Sequence, residues 1–311
     1  MLLLGGIIVV AVLAALAALA LWSRWMTRAV ERLVPMDGRR VSAAGIDFHV
    51  IERGPADAPA IVMVHGLLGQ ARNFTYALAD RMAVDHRVIV IDRPGWGHSR
   101  LAGPRLGIAE QADAIAALID ALGLEKPLLV GHSMGGAVSL ALALIHGDKV
   151  RGLALIAPYT QPVDRPPAPF KGLLVPHGLR HLIGWTLAVP IALRAGRAKT
   201  VQVFAPDAVP DDFPLRGGGA LGIRPGSFVS GCYEIATARD AMLAQAPRYG
   251  AIRLPVGILY GRGDALLEPA LHGEKTAAAI PGATVTLVDG GHMLPITHAD
   301  ATEAWLRTLT P

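Results

Sequence analysis

Hydrophobic and polar positions follow three rhythms along this chain. The first is unbroken: Leu2 to Leu21, LLLGGIIVVAVLAALAALAL, carries no charge. At about 1.5 Å rise per residue, a helix of that length covers roughly the 30 Å of a bilayer core. Trp22 and Trp25, then Arg24, Arg28 and Arg32, follow it, as aromatic and basic residues do at a membrane interface. The pattern predicts a single-pass transmembrane anchor over 1–23, with residues 2–22 in the membrane, and a short amphipathic linker over 24–38. A cleaved signal peptide ending at Ala18-Leu19-Ala20 is the alternative. No Lys or Arg precedes the apolar run, and the run is long for a signal sequence, which favours the anchor. The arginines after it predict a cytoplasmic catalytic domain.

The second rhythm is short apolar runs without polar alternation: AIVMVHG (60–66), RVIVID (87–92), PLLVGHS (127–133), VRGLALIAP (150–158), PVGILYGRGD (255–264) and ATVTLVDGGH (283–292). Ahead of them, RVSAAGIDFHVIERG (40–54) reads as a hairpin turning at Ala44-Gly45. Helical periodicity separates the runs near 73–83, 108–123 (ended by Gly123), 134–146, 268–280 and 300–309. Strands apolar on both faces and separated by helices predict an α/β fold, a mostly parallel sheet flanked by helices. The third rhythm is broken. Over 159–248 the alternation fails, and prolines and glycines interrupt patches such as HLIGWTLAVPIAL (181–193). That stretch is too long for a plain loop and predicts a mostly helical cap, inserted between core segments 39–158 and 249–311.

Composition narrows the possibilities. Of 311 residues, 52% are hydrophobic and 17% charged, which excludes a disordered chain. The single Cys232 allows no internal disulfide and no Cys-rich zinc site, and is read as packing. The net charge of +4 comes from dispersed residues with no nucleic-acid motif, so nucleic acid is not an expected partner. Between Arg165 and Pro206 there are six Lys or Arg and no Asp or Glu, which suits a surface near anionic lipid.

The chemistry starts at LLVGHSMGGAV (128–138), a strand, a sharp turn and a helix. Gly131 and Gly135 flank Ser133, leaving room for strand and helix to approach closely. A serine needs a base, itself oriented by an acid. YGRGD ends at Asp264, and DGGHMLP carries His292, each just past the carboxyl end of a strand, where open parallel sheets place their sites. Glu268, Asp289 and Asp164 are alternative acids. His65, directly after a strand, reads as a structural brace. Arg93 in DRPGWGHS reads as a local salt bridge or loop anchor. His177 and His181 are spaced i, i+4 but lack a third ligand, so no metal is expected.

These segments, with VMVHGLLG (62–69) and VIDRPGWGHS (90–99), resemble the α/β-hydrolase superfamily over about residues 40–310. The resemblance implies that Ser133 is the nucleophile, His292 the base and Asp264 the acid. It also implies an oxyanion hole from the backbone N–H groups of Leu67 and Met134, and no cofactor. Serine at the elbow argues against the dehalogenase and epoxide-hydrolase branches, which carry aspartate there. GHSMGG is similar to the elbow of monoacylglycerol lipases and of other branches. The expectation is a membrane-anchored, esterase- or lipase-like serine hydrolase acting on a small, lipophilic ester. A C–C bond hydrolase of the same fold and a catalytically silent binding module are the alternatives.

Overall fold

The computed structural model describes residues 2–310. Nine strands form one sheet: β1 (Arg39–Ala43), β2 (Ile46–Arg53), β3 (Ala60–Val64), β4 (Arg87–Ile91), the short β5 (Arg100–Leu101), β6 (Leu128–His132), β7 (Gly152–Ile156), β8 (Val256–Gly261) and β9 (Thr284–Val288). Their spatial order is β1-β2-β4-β3-β6-β7-β8-β9, with β5 beside β2. From β4 to β9 every pairing is parallel, and β1, β2 and β5 join antiparallel at one edge. The architecture is therefore the expected α/β-hydrolase plan.

The apolar runs have a simple cause. Successive strand residues point to opposite faces, and both faces are covered. Ile61 and Met63 of β3 pack on one side with Phe74, Leu78 and Leu306. Val62 and Val64 pack on the other with Ile115, Ile119, Leu140 and Val138, from helices Ile108–Ala121 and Met134–Ile145. A polar side chain without a partner would be costly on either face. Truncating Met63, which is fully buried, to Ala is expected to destabilise by about 2–5 kcal/mol.

Two elements differ from the periodicity. The helix expected over 73–83 is two short turns, Arg72–Thr75 and Ala79–Met82. The Tyr76 carbonyl accepts from Arg216 Nη2 at 2.8 Å, so the helical ladder is interrupted there. At the amino terminus, the helix does not give way to a linker at residue 24. It runs unbroken from Leu2 to Leu33, because no Gly or Pro stands between residue 24 and Pro35. The helix is long and apolar enough to cross a membrane. Its first half stands exposed, but Ser23, Val30 and Val34 are buried. Glu31 pairs with Arg224 at 3.0 Å. The helix is thus fastened to the body rather than hung from it.

Between β7 and β8 the chain makes only helical elements. The largest are a continuous helical run from Arg180 to Phe204, with a wider turn at Gly184–Ala188, and the helix Pro225–Gln245.

Candidate active site

Ser133 follows β6 directly, at the amino terminus of helix Met134–Ile145. Its backbone has φ 53° and ψ −120°, a strained conformation for a residue with a Cβ. What enforces it is crowding. A Cβ on Gly131 would lie 2.5 Å from Ser139 Oγ, and one on Gly135 would lie 2.1 Å from the Val64 carbonyl oxygen. Only glycine lets strand, turn and helix pass that closely. The turn lifts Ser133 off the sheet and into a cavity wall.

His292 and Asp264 reach that wall from two other strands. Asp264, past β8, accepts from the backbone N–H groups of Leu266 and Leu267 on Oδ1, at 2.9 and 3.0 Å. Its Oδ2 lies 2.7 Å from His292 Nδ1, past β9. Burial works to raise the Asp264 carboxyl, but the His292 charge and these hydrogen bonds outweigh it and hold the group below its ordinary value. With Nδ1 engaged by Asp264, the ring's Nε2 is the nitrogen left for other chemistry. Ser133 and His292 line the same cavity; among the described residues no hydrogen bond joins them. Of the alternative acids, Glu268 and Asp289 are exposed and Asp164 pairs with Arg239 at 3.2 Å.

The loop carrying His292 is held from both sides by residues that periodicity alone does not single out. His132 Nε2 donates to the His292 carbonyl at 3.0 Å. Burial pushes that imidazole down to about 3, assisted by the neighbouring His292 ring, so it stays neutral. Asp207, just past the helical run of the insertion, accepts from Gly291 N–H and from Thr297 Oγ1, both at 2.9 Å. It also pairs with His298 at 3.1 Å.

The turn after β3 is braced as firmly. His65 is fully buried, and its Nδ1–H donates to the Gly66 carbonyl at 2.8 Å while its Nε2 accepts the Arg93 N–H at 3.0 Å. Burial, then the Arg93 charge, lower its pKa to about 4. Arg93 Nη2 donates to the same Gly66 carbonyl at 3.0 Å. In a planar peptide the carbonyl and the following N–H point oppositely, so pinning Gly66 C=O fixes the direction of Leu67 N–H. Arg93 is indeed an ion pair, but not a local one. Its partner is Glu234, at 2.6 Å, on helix Pro225–Gln245, and both side chains are buried. Met134, the first helical residue, presents an N–H with no intrahelical acceptor.

Two cavities of about 250 and 360 Å³ meet at Leu67, Ser133, Phe170 and His292. The smaller runs toward Tyr159, Asp164 and Arg239. The larger is lined by Ile183, Ala188, Ile191, Val203, Phe204 and Phe213 of the insertion. Elsewhere, His177 and His181 stand exposed, and among the described residues no three His, Cys, Asp or Glu gather at metal-binding distance. Cys232 is buried, and burial pushes its thiol up to about 11.

Comparison with known proteins decides the kinship. A family model described as the alpha/beta hydrolase fold matches residues 59–181. Over 265 residues, 82% of this chain and 88% of the relative, the chain is 30% identical to the magnesium-chelatase 30 kDa subunit of Rhodobacter capsulatus. The chain belongs to the α/β-hydrolase superfamily. Among solved structures, this hydrolase is similar to the enol-lactonase of Burkholderia xenovorans LB400, with a TM-score of 0.73 and 23% identity over 88% of this chain and 100% of that one. It is also similar to a membrane phospholipase A, with a TM-score of 0.69 and 20% identity over 99% of this chain and 98% of that one. At these identities the likeness is one of fold, and in the second case it extends over the N-terminal helix as well.

Proposed function

We propose that this protein is a membrane-anchored serine hydrolase that cleaves carboxylic esters of lipophilic substrates through an acyl-enzyme. The observation that carries the reading is the Asp264–His292 hydrogen bond at 2.7 Å, with the imidazole sharing a cavity wall with a serine on a strained elbow. His292 Nε2 takes the Ser133 proton as Oγ attacks the ester carbonyl. The oxyanion accepts from the N–H groups of Leu67 and Met134, in a region where each such donor is worth about 10²–10³ in rate. His292 then protonates the departing alcohol. Water, deprotonated by the same imidazole, attacks the acyl carbon and releases the acid. Asp264 keeps its charge throughout and orients the ring.

The helical insertion acts as the cap. The larger cavity suits an acyl chain because its lining is aliphatic and aromatic, and an N-terminal span (residues 2–22) holds the site where lipophilic esters concentrate. The arginines following that span favour a cytoplasmic catalytic domain. A cleaved signal remains the rival for the helix, although burial of Ser23, Val30 and Val34 against the body favours retention.

The test is labelling by a fluorophosphonate probe, followed by turnover of p-nitrophenyl esters of rising chain length, with and without Ser133→Ala. The expected result is label and turnover in the intact protein and neither in the variant. A labelled protein that turns over no ester would rule out the substrate class. An unlabelled Ser133 would favour a binding module, a reading compatible with the subunit name of the Rhodobacter relative.

A further inference from the structure

The segment from Leu179 through the helical run Arg180–Phe204 leaves large apolar side chains in the open. Leu179, Leu182, Trp185, Leu187, Ile191 and Leu193 are all between 39% and 51% exposed. A soluble surface seldom gathers so many on one short segment. The stretch Arg165–Pro206 around them carries six Lys or Arg and no carboxylate. The insertion's salt bridges are made by Asp164, Asp207, Asp212, Arg216, Arg224, Glu234, Arg239 and Asp240, all outside it, so the basic groups are not neutralised by those pairs.

Position gives this patch its meaning. The N-terminal helix packs against two parts of the insertion, Gly219–Ile223 and Gly184–Ala188. Val30 and Val34 cluster with Leu221 in the first contact. Further toward the apolar half of the helix, Ser23 is buried too. That is the level of Trp22, Arg24 and Trp25, where the helix passes from apolar to basic sequence. The exposed Trp185 and Leu187 belong to the Gly184–Ala188 segment that packs on the helix, and Leu182 lies two residues before it. The inner side of the same run, through Ile183, Ala188 and Ile191, lines the larger cavity.

We infer that the Leu179–Leu193 surface is a second membrane contact, docked into the headgroup and upper acyl region of an anionic bilayer, so that substrate passes from lipid directly into the larger cavity. The inference rests on the anchor reading above. The bilayer is the occupant because the patch adjoins the helix able to span one, and because apolar side chains set among unpaired basic groups match an anionic interface.

The test uses the full chain in vesicles of phosphatidylethanolamine and phosphatidylglycerol, with lipids brominated on the upper acyl chain as quenchers. Trp96 and Trp305 are buried and provide an unquenched background. In Trp22→Phe/Trp25→Phe, Trp185 is expected to lose emission as fully as Trp22 and Trp25 do in Trp185→Phe. Unquenched Trp185 beside quenched Trp22 and Trp25 overturns the docking surface and leaves the anchor standing. No quenching in either variant overturns both. Leu182→Glu/Leu187→Glu, whose side chains do not line the cavities, is expected to slow turnover of a vesicle-borne ester roughly tenfold and to leave a short soluble ester unaffected. An equal rate on vesicles contradicts the proposal. The quenching needs no turnover, so it stands if the ester reading fails.

Discussion

The molecule contains two buried histidine–aspartate pairs of nearly the same geometry, and they stand in different surroundings. His292 Nδ1 lies 2.7 Å from Asp264, and His49 Nδ1 lies 2.6 Å from Asp92. In the second pair every bonding position is spoken for. His49 Nε2 meets the Asp37 carbonyl, and Asp92 also accepts from the N–H groups of Ala71 and His98, at 2.7 and 2.6 Å. Burial works to lower the His49 pKa, but Asp92 prevails and raises it. The pair locks the chain around residue 37 to β2 and β4. In the first pair the outer face of the imidazole borders a cavity that also holds Ser133. In the proposed mechanism, reactivity thus depends less on the pair than on whether one nitrogen is left unspent beside open space. Arg93–Glu234 belongs with the closed kind.

Substitutions at the open and closed sites should separate these roles. The largest effect is expected from His292→Ala, which should lower kcat on the best ester by about 10⁴–10⁶ in a protein that remains folded by circular dichroism. Glu234→Ala leaves Arg93 buried and unpaired, and should lower stability by about 3–5 kcal/mol in urea titration. Replacing both partners with apolar residues should recover much of that loss. Asp92→Asn keeps one acceptor oxygen and turns the other into an amide donor, so either the Ala71 N–H or the pair His49 Nδ1–H and His98 N–H loses its acceptor. A stability loss of about 2–3 kcal/mol is expected, with kcat of the folded fraction little changed. A comparable fall in kcat there would erase the distinction between open and closed pairs.

Acid sharpens the same contrast. Burial lowers His65 and His272 to about 4 and His132 to about 3, whereas the unfolded groups titrate near 6.5. Between those values the unfolded chain binds more protons, so stability should rise with pH and fall as pH drops from 6.5 toward about 4. Asp92 and Asp264, held below their ordinary value, add losses only at still lower pH. Urea midpoints at pH 7 and pH 5 measure the first effect; equal midpoints would contradict it. The smallest effect is expected from Asp207→Asn, which loosens the Gly291–His292 loop. It should lower kcat roughly three- to tenfold, with KM nearly unchanged, since one or two hydrogen bonds are weakened rather than lost.

The parts of this molecule legible in its sequence are those whose cause is local. Continuous apolar runs reveal β3, β4 and β6–β8 because each strand is covered on both sides, while the edge strand β9 is only half-buried, and Ala44-Gly45 marks the hairpin. Ser133, Asp264 and His292 stand out because each follows a strand, although their meeting in space is not a local property. Glu234 could not be matched to Arg93, because 141 residues separate them and a carboxylate on a helix ordinarily faces water. Asp207 gave no signal either, since its partners belong to the loop around His292. The N-terminal helix outran its apolar stretch because helix continuation depends on the absence of Gly and Pro, whereas hydropathy reports only the surroundings.

The two cavities joined at Ser133 and His292 bear on the order of events in the proposed cycle. In that cycle the acyl group would take one room and the alcohol the other, so the alcohol could depart while the acyl chain stays on the enzyme. Whatever next fills the emptied room decides the product. In the proposed cycle water gives the free acid, and a second alcohol of suitable size would give a new ester.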